Sequence, residues 1–131
     1  MDKGDAVATE NVTTSIVYED SAFDLLARFE VAGRNGLQSD CTSVQIKMWN
    51  TNDFATTILD SALVISDCVF NTLQQDGRWC ADLVGYNFRT TVADTILSSA
   101  GTYRAEVTIT TSEGKLPPMV WKLDCLETRS S

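Results

Sequence analysis

Three aspartates, Asp53, Asp60 and Asp67, recur at a spacing of seven and are the first residues of this chain whose type and spacing could do chemistry. Carboxylates in series can ligate calcium, but a calcium loop needs the compact Asp-x-Asp-x-Asp-Gly form, which these positions lack. The spacing reads instead as a solvated face. Four cysteines, Cys41, Cys68, Cys80 and Cys125, include no Cys-x-x-Cys, and the chain has no histidine. A zinc site is therefore not expected. Without histidine, neither a Ser-His-Asp nor a Cys-His nucleophile can be assembled, and the commonest general base is missing. The seven glycines are scattered and form no phosphate-cradling loop. Paired carboxylates of the glycosidase kind are a spatial feature, and the sequence singles out no pair. The expectation is a chain with no catalytic residue, no metal ligand and no cofactor.

The thiols fit a structural role. Cys125 lies in phase with Trp121 and Leu123, and Cys68 in phase with Val64 and Phe70, so both read as small core hydrophobes. Reduced thiols are the default for a chain whose N-terminus lacks an apolar signal segment. A Cys41–Cys125 or a Cys68–Cys80 bridge stays open. Asn11-Val12-Thr13 matches a glycosylation sequon and, without an export signal, reads as coincidence.

The tryptophans divide. Trp79 and Trp121 fall on the apolar phase of their strands and read as core. Trp49 is out of phase with Val44, Ile46 and Met48 and stands beside Asn50-Thr51-Asn52. Such a residue can anchor a protein interface, stack on a sugar, or tuck under the next loop. The candidate interface residues are Trp49, Asn50 and Asn52, together with Val7 in a polar N-terminal arm (residues 1–11) and Val12 just after it.

These residues must be held by strands. At 131 residues the chain is one domain, long enough to bury a core, and 44% hydrophobic content is that of a folded protein. A net charge of −8 argues against nucleic-acid and anionic-membrane partners, both of which need clustered Lys and Arg. No apolar stretch is long enough to span a bilayer.

Alternation of period two predicts strands over 12–18, 22–32 and 44–48, a short edge strand over 56–59, and further strands over 62–70, 78–84, 101–110 and 119–126. Gly33-Arg-Asn-Gly36 supplies a tight turn. Val92 with Ile96 and Ala93 with Leu97, each four apart, predict a short helical crossover near 90–98. The last two strands are the clearest. If paired residue numbers sum to 228, Arg104 faces Asp124, Glu106 faces Lys122, and Val107 faces Trp121, so one register suits both faces. Seven or eight strands at about ten-residue spacing are the signature of an all-β, antiparallel β-sandwich. The domain is expected over 12–128, with 129–131 as a disordered tail.

Several segments, taken in order, resemble the immunoglobulin-like N-terminal domain of phage baseplate upper proteins and related small phage virion domains. They are Tyr18-Glu-Asp-Ser-Ala-Phe-Asp-Leu-Leu-Ala-Arg-Phe-Glu-Val31, Asn35-Gly36, Ser39-Asp-Cys-Thr-Ser-Val-Gln-Ile46, Asp76-Gly-Arg-Trp-Cys-Ala-Asp-Leu83, Ala100-Gly-Thr-Tyr-Arg-Ala-Glu-Val107 and Glu113-Gly-Lys115. The resemblance spans residues 18–127, with Cys41 where Leu is usual and Glu113 where Asp is usual. It departs from the family in lacking a long C-terminal receptor-binding region. What it implies is an immunoglobulin-like fold, no catalysis, and a standalone structural virion part of a tailed bacteriophage. A capsid cement or decoration protein leads, with a baseplate, tail-fibre or head–tail adaptor as the alternative. Its implied partners are other virion proteins (the major capsid protein or a tail or baseplate protein) or further copies of itself. No functional residue transfers, because the matched positions are turns and core. A carbohydrate-binding module using Trp49 is the reading from another class.

Overall fold

A computed structural model describes residues 11–77, 79 and 83–128, with the backbone alone for 11–14. β1 (Asn11–Tyr18), β2 (Phe23–Ala27), β3 (Glu30–Val31), β4 (Arg34–Asn35), β5 (Cys41–Asn50), β6 (Asp53–Leu63), β7 (Val69–Gln74), β8 (Tyr86–Val92), β9 (Gly101–Thr111), β10 (Gly114–Lys115) and β11 (Met119–Leu126) follow in order. A 3₁₀ turn at Gln38–Asp40 precedes β5, and a single helical turn, α1 (Ile65–Cys68), separates β6 from β7. One sheet runs β1-β11-β9-β5-β6 with β10 beside β9; the second runs β2-β8-β7. This is the all-β sandwich expected, and the strand order is that of an immunoglobulin-like fold, with β2, β8 and β7 facing β5, β9 and β11.

The core is built from alternate residues of facing strands. Val44, Ile46 and Met48 of β5, Tyr103 to Ile109 of β9, and Met119, Trp121, Leu123 and Cys125 of β11 are buried against Leu25, Ala27, Phe88 and Val69. Trp121 ties the sheets together: its ring lies 6.0 Å from that of Phe88, and its Nε1–H donates to the Leu26 carbonyl at 3.1 Å. At the opening of β9 the Tyr103 hydroxyl donates to the Ser99 carbonyl at 2.8 Å. That bond, from a tyrosine at the start of this strand to backbone just upstream, is the tyrosine corner of immunoglobulin-like sandwiches.

Several expectations need correction. β11 pairs with β9 so that residue numbers sum to 226: Trp121 faces Ala105, and Lys122 faces Arg104. A two-residue shift leaves every side chain on its expected face, so alternation alone does not distinguish the two registers. β1 pairs with β11 in parallel, so the large sheet is not wholly antiparallel.

The strand expected over 22–32 breaks after Ala27, because Asn87 takes the backbone groups of Phe29. Asn87 Oδ1 accepts the Phe29 N–H at 2.9 Å, and Nδ2 donates to the carbonyls of Phe29 at 3.0 Å and Gly36 at 3.2 Å. The following hairpin turns at Ala32-Gly33, both at positive φ (54° and 79°), and not at Asn35-Gly36. Gly36 is needed elsewhere: a Cβ there would lie 2.0 Å from the Phe29 ring.

The strand expected over 62–70 is split by α1, so Cys68 is buried while Val64 is 61% exposed. No helix forms near 90–98; Val92 ends β8 opposite Phe23, and residues 94–96 turn. Its spacing of four with Ile96 is therefore a strand end followed by a turn. The strand expected over 78–84 falls largely outside the described residues, and Trp79, Leu83 and Val84 are not in strand conformation.

Candidate functional site

The outer face of the large sheet is a lattice of charged and hydroxyl side chains set by the cross-strand register. Lys47 stands between Asp60 of β6 and Glu106 of β9. The next row places Thr57, Trp49, Arg104 and Lys122 side by side. The opposite-charge pairs expected between β9 and β11 are not set opposite each other, since Lys122 faces Arg104 and Asp124 faces Thr102. The register sets Lys47 of β5 opposite Glu106 of β9 instead. Glu106 meets Lys47 across the ladder, while Val120 of β11 occupies its other side. Arg104 stands between Trp49 and Lys122, and it turns its Nε to Glu106 Oε2 on its own strand at 2.6 Å. A hollow of about 470 Å³ crosses this face between β5 and β9, running from Ser43 to Trp49 and from Glu106 to Thr110, with Lys115 at its rim. That volume is within the range of small-ligand sites.

Of the five residues singled out as an interface, the fold gathers three. Trp49 and Asn50 end β5, and Asn52 lies in the turn to β6, where Asn50 Oδ1 accepts the Asn52 N–H at 2.8 Å. Trp49 points outward, half-buried, with its ring 6.2 Å from that of Phe54. Phe54, which the sequence reading passed over, is 55% exposed. Its signal was an aromatic beside Asn-Asp in a turn. Val12 is far from this corner: it pairs with Val120 at the opposite edge of the sheet, three strand spacings or ~14 Å from β5. Val7 lies outside the described residues.

β6 itself is the larger discovery of the fold. The short edge strand expected over 56–59 is eleven residues long, Asp53–Leu63, and it does form the edge of the large sheet. Residues 53–58 are exposed on both faces, while Leu59, Ser61 and Leu63 are half-buried on the inner face behind Met48, Ile46 and Val44. At the other edge of the same sheet Ile16, Tyr18 and Leu126 form an exposed apolar group, with Tyr18 paired to Leu126.

The thiols are chemically quiet. Cys41, Cys68 and Cys125 are free, and Cys80 lies outside the described residues. A Cys41–Cys125 bridge is excluded by register: Cys41 is opposite Thr111 and Cys125 opposite Gly101, ten residues of β9 apart, or ~33 Å. Burial pushes the Cys68 thiol up to about 12, helped by the neighbouring Cys41 and Asp67. Cys41 and Cys125 are raised by burial in the same direction. Thiols held protonated are poor nucleophiles and poor ligands. Among the described residues no group of three or more Cys, Asp and Glu side chains is placed to hold a metal ion, and no helix is long and apolar enough to cross a membrane.

No family model matches this chain. No curated protein sequence matches it either. Among solved structures it is similar to a family 123 glycoside hydrolase from Clostridium perfringens, at 9% identity and a TM-score of 0.38. That similarity covers 90% of this chain and 23% of the hydrolase chain, so this domain spans under a quarter of the hydrolase's length.

Proposed function

We propose that this chain is a structural virion protein of a tailed bacteriophage, acting without catalysis as a capsid cement or decoration protein that stabilises the particle by protein–protein contacts. The observation that carries the reading is the large sheet, which is apolar and exposed at both lateral edges. Phe54 and Ile58 lie on β6, and Ile16, Tyr18 and Leu126 lie on β1 and β11. A module with two such edges can bridge two neighbours, and apolar patches left in water mark interaction surfaces. The resemblance of residues 18–127 to phage virion domains supplies the setting. A baseplate or head–tail adaptor would use the same edges on different neighbours.

One observation favours a second reading as a carbohydrate-binding module. The hollow on the outer face is lined by hydroxyl side chains, the Gln45 amide and the charged Lys47, Glu106 and Lys115, with Trp49 at one end.

Co-sedimentation with purified phage particles tests the first reading. A fixed copy number per particle supports it, and absence of the chain from particles sinks it. A glycan array tests the second: binding lost in Trp49→Ala supports a sugar site.

A further inference from the structure

We infer that β6 is a docking edge that takes an extended, lysine- or arginine-bearing segment of a partner protein by strand addition; this deepens the assembly role proposed above and rests on it. A sheet edge presents a row of backbone N–H and C=O groups ready to pair with another chain, and folded proteins blunt such edges with Lys, Pro, short length, bulges or a covering loop. β6 has eleven residues, none of them Lys, Arg, Pro or Gly. Its register against β5 shifts twice, between Met48 and Trp49 and between Trp49 and Asn50, so the regular part of the edge is Leu59 to Leu63, where the register is continuous. Among the described residues it pairs with β5 alone. An added strand would cover Leu59 and Leu63, which are half-exposed on the inner face, and Ile58, which is 37% exposed.

The charge of this edge selects the occupant. The aspartates spaced by seven all fall along it: Asp53 opens β6, Asp60 lies within it, and Asp67 sits in α1 just beyond its end. A second hollow of about 400 Å³ adjoins that end, lined by Leu63, Val64, Asp67 and Arg89, with the Arg89 guanidinium drawn 5.3 Å over the Phe70 ring. The neighbour already accepted on the other side shows the complementary pattern: β5 alternates Val44, Ile46 and Met48 with Gln45 and Lys47, sets Lys47 opposite Asp60 in register, and donates Gln45 Nε2 to Asp60 Oδ1. A strand with the same alternation suits the outer side. A second copy of this chain does not, because its β6 would bring its own Asp53 and Asp60 and no cation to an edge that is already acidic.

The probe is a fluorescein-labelled peptide alternating valine with lysine and threonine, compared by anisotropy with a version carrying glutamate for lysine. The lysine peptide should bind about ten-fold more tightly. Asp60→Asn should narrow that preference, and Ile58→Lys, at an exposed position, should abolish binding while circular dichroism stays unchanged. N-methylation of alternate peptide nitrogens, which keeps the charge and removes the N–H groups, should also abolish it. Retained binding of the N-methylated peptide, equal binding of the glutamate peptide, or dimerisation of the chain through β6 in light scattering would overturn the inference. Because this assay needs no particle, a positive result with no co-sedimentation would sink the virion reading and leave the edge standing. Co-sedimentation with no peptide binding would do the reverse.

Discussion

Replacing Asn87 with aspartate changes one atom type at the point where the two-layer core is pinned to the β3–β4 hairpin. Asn87 is 1% exposed, and its orientation is dictated by its partners, since the Phe29 N–H needs an oxygen while two carbonyls need the amide nitrogen. In Asn87→Asp the Phe29 N–H keeps its acceptor. The second carboxylate oxygen then faces the carbonyls of Phe29 and Gly36. Phe29 O retains the Gly36 N–H at 3.1 Å, so the Gly36 carbonyl is the group left without this donor. An unsatisfied buried carbonyl beside a buried, poorly solvated carboxylate should cost about 3–4 kcal/mol.

The loss depends on pH. Burial against two carbonyls raises the folded-state pKa of the introduced carboxyl above its unfolded value of about 4. Its stability contribution is therefore present below the unfolded pKa and is lost as pH rises through the folded one. Urea unfolding followed by tryptophan fluorescence should show a large deficit against wild type near neutral pH. It should shrink at about pH 4, where the protonated carboxyl can donate to Gly36 O. A neutral-pH deficit below ~1 kcal/mol, or one that does not change with pH, would refute the pinning role.

Other perturbations read separate parts of the fold. Tyr103→Phe removes the donor to the Ser99 carbonyl and should lower stability by about 1–2 kcal/mol in the same urea assay. Gly36→Ala drives a Cβ into the buried Phe29 ring and should cost about 2 kcal/mol, visible as a lower melting temperature. Cys68, whose thiol pKa is raised to about 12, should resist iodoacetamide at mildly alkaline pH until the chain unfolds, as read by mass mapping of that residue. Because that folded value exceeds the unfolded one, its contribution to stability should hold below about pH 9 and fall as pH rises toward 12.

Alternation made the faces of β5, β9 and β11 legible, since a period of two is a local property of the chain. Register was less so. The sums 228 and 226 preserve the same faces, and the pairing of Glu106 with Lys122 looked decisive only because Lys47, distant in sequence, was not in view. The break after Ala27 depends on the Asn87 side chain, which reaches Phe29 from 58 residues away. α1 interrupts an apolar run in which both faces looked buried, and nothing local distinguishes that from a core strand. The corner formed by Trp49, Asn50 and Asn52 was readable from one out-of-phase tryptophan. The extent of the β6 edge was not, because which strand lies outermost is a property of the whole sheet.

Amide hydrogen exchange of β6, free and on the particle, tests the central claim most directly. In the free chain, every second amide of Leu59–Leu63, where the register against β5 is continuous, points away from β5 and should exchange rapidly. On the particle those amides should slow markedly while the core of β9 stays unchanged. Chain that is bound to particles with β6 exchange unaltered would contradict the account.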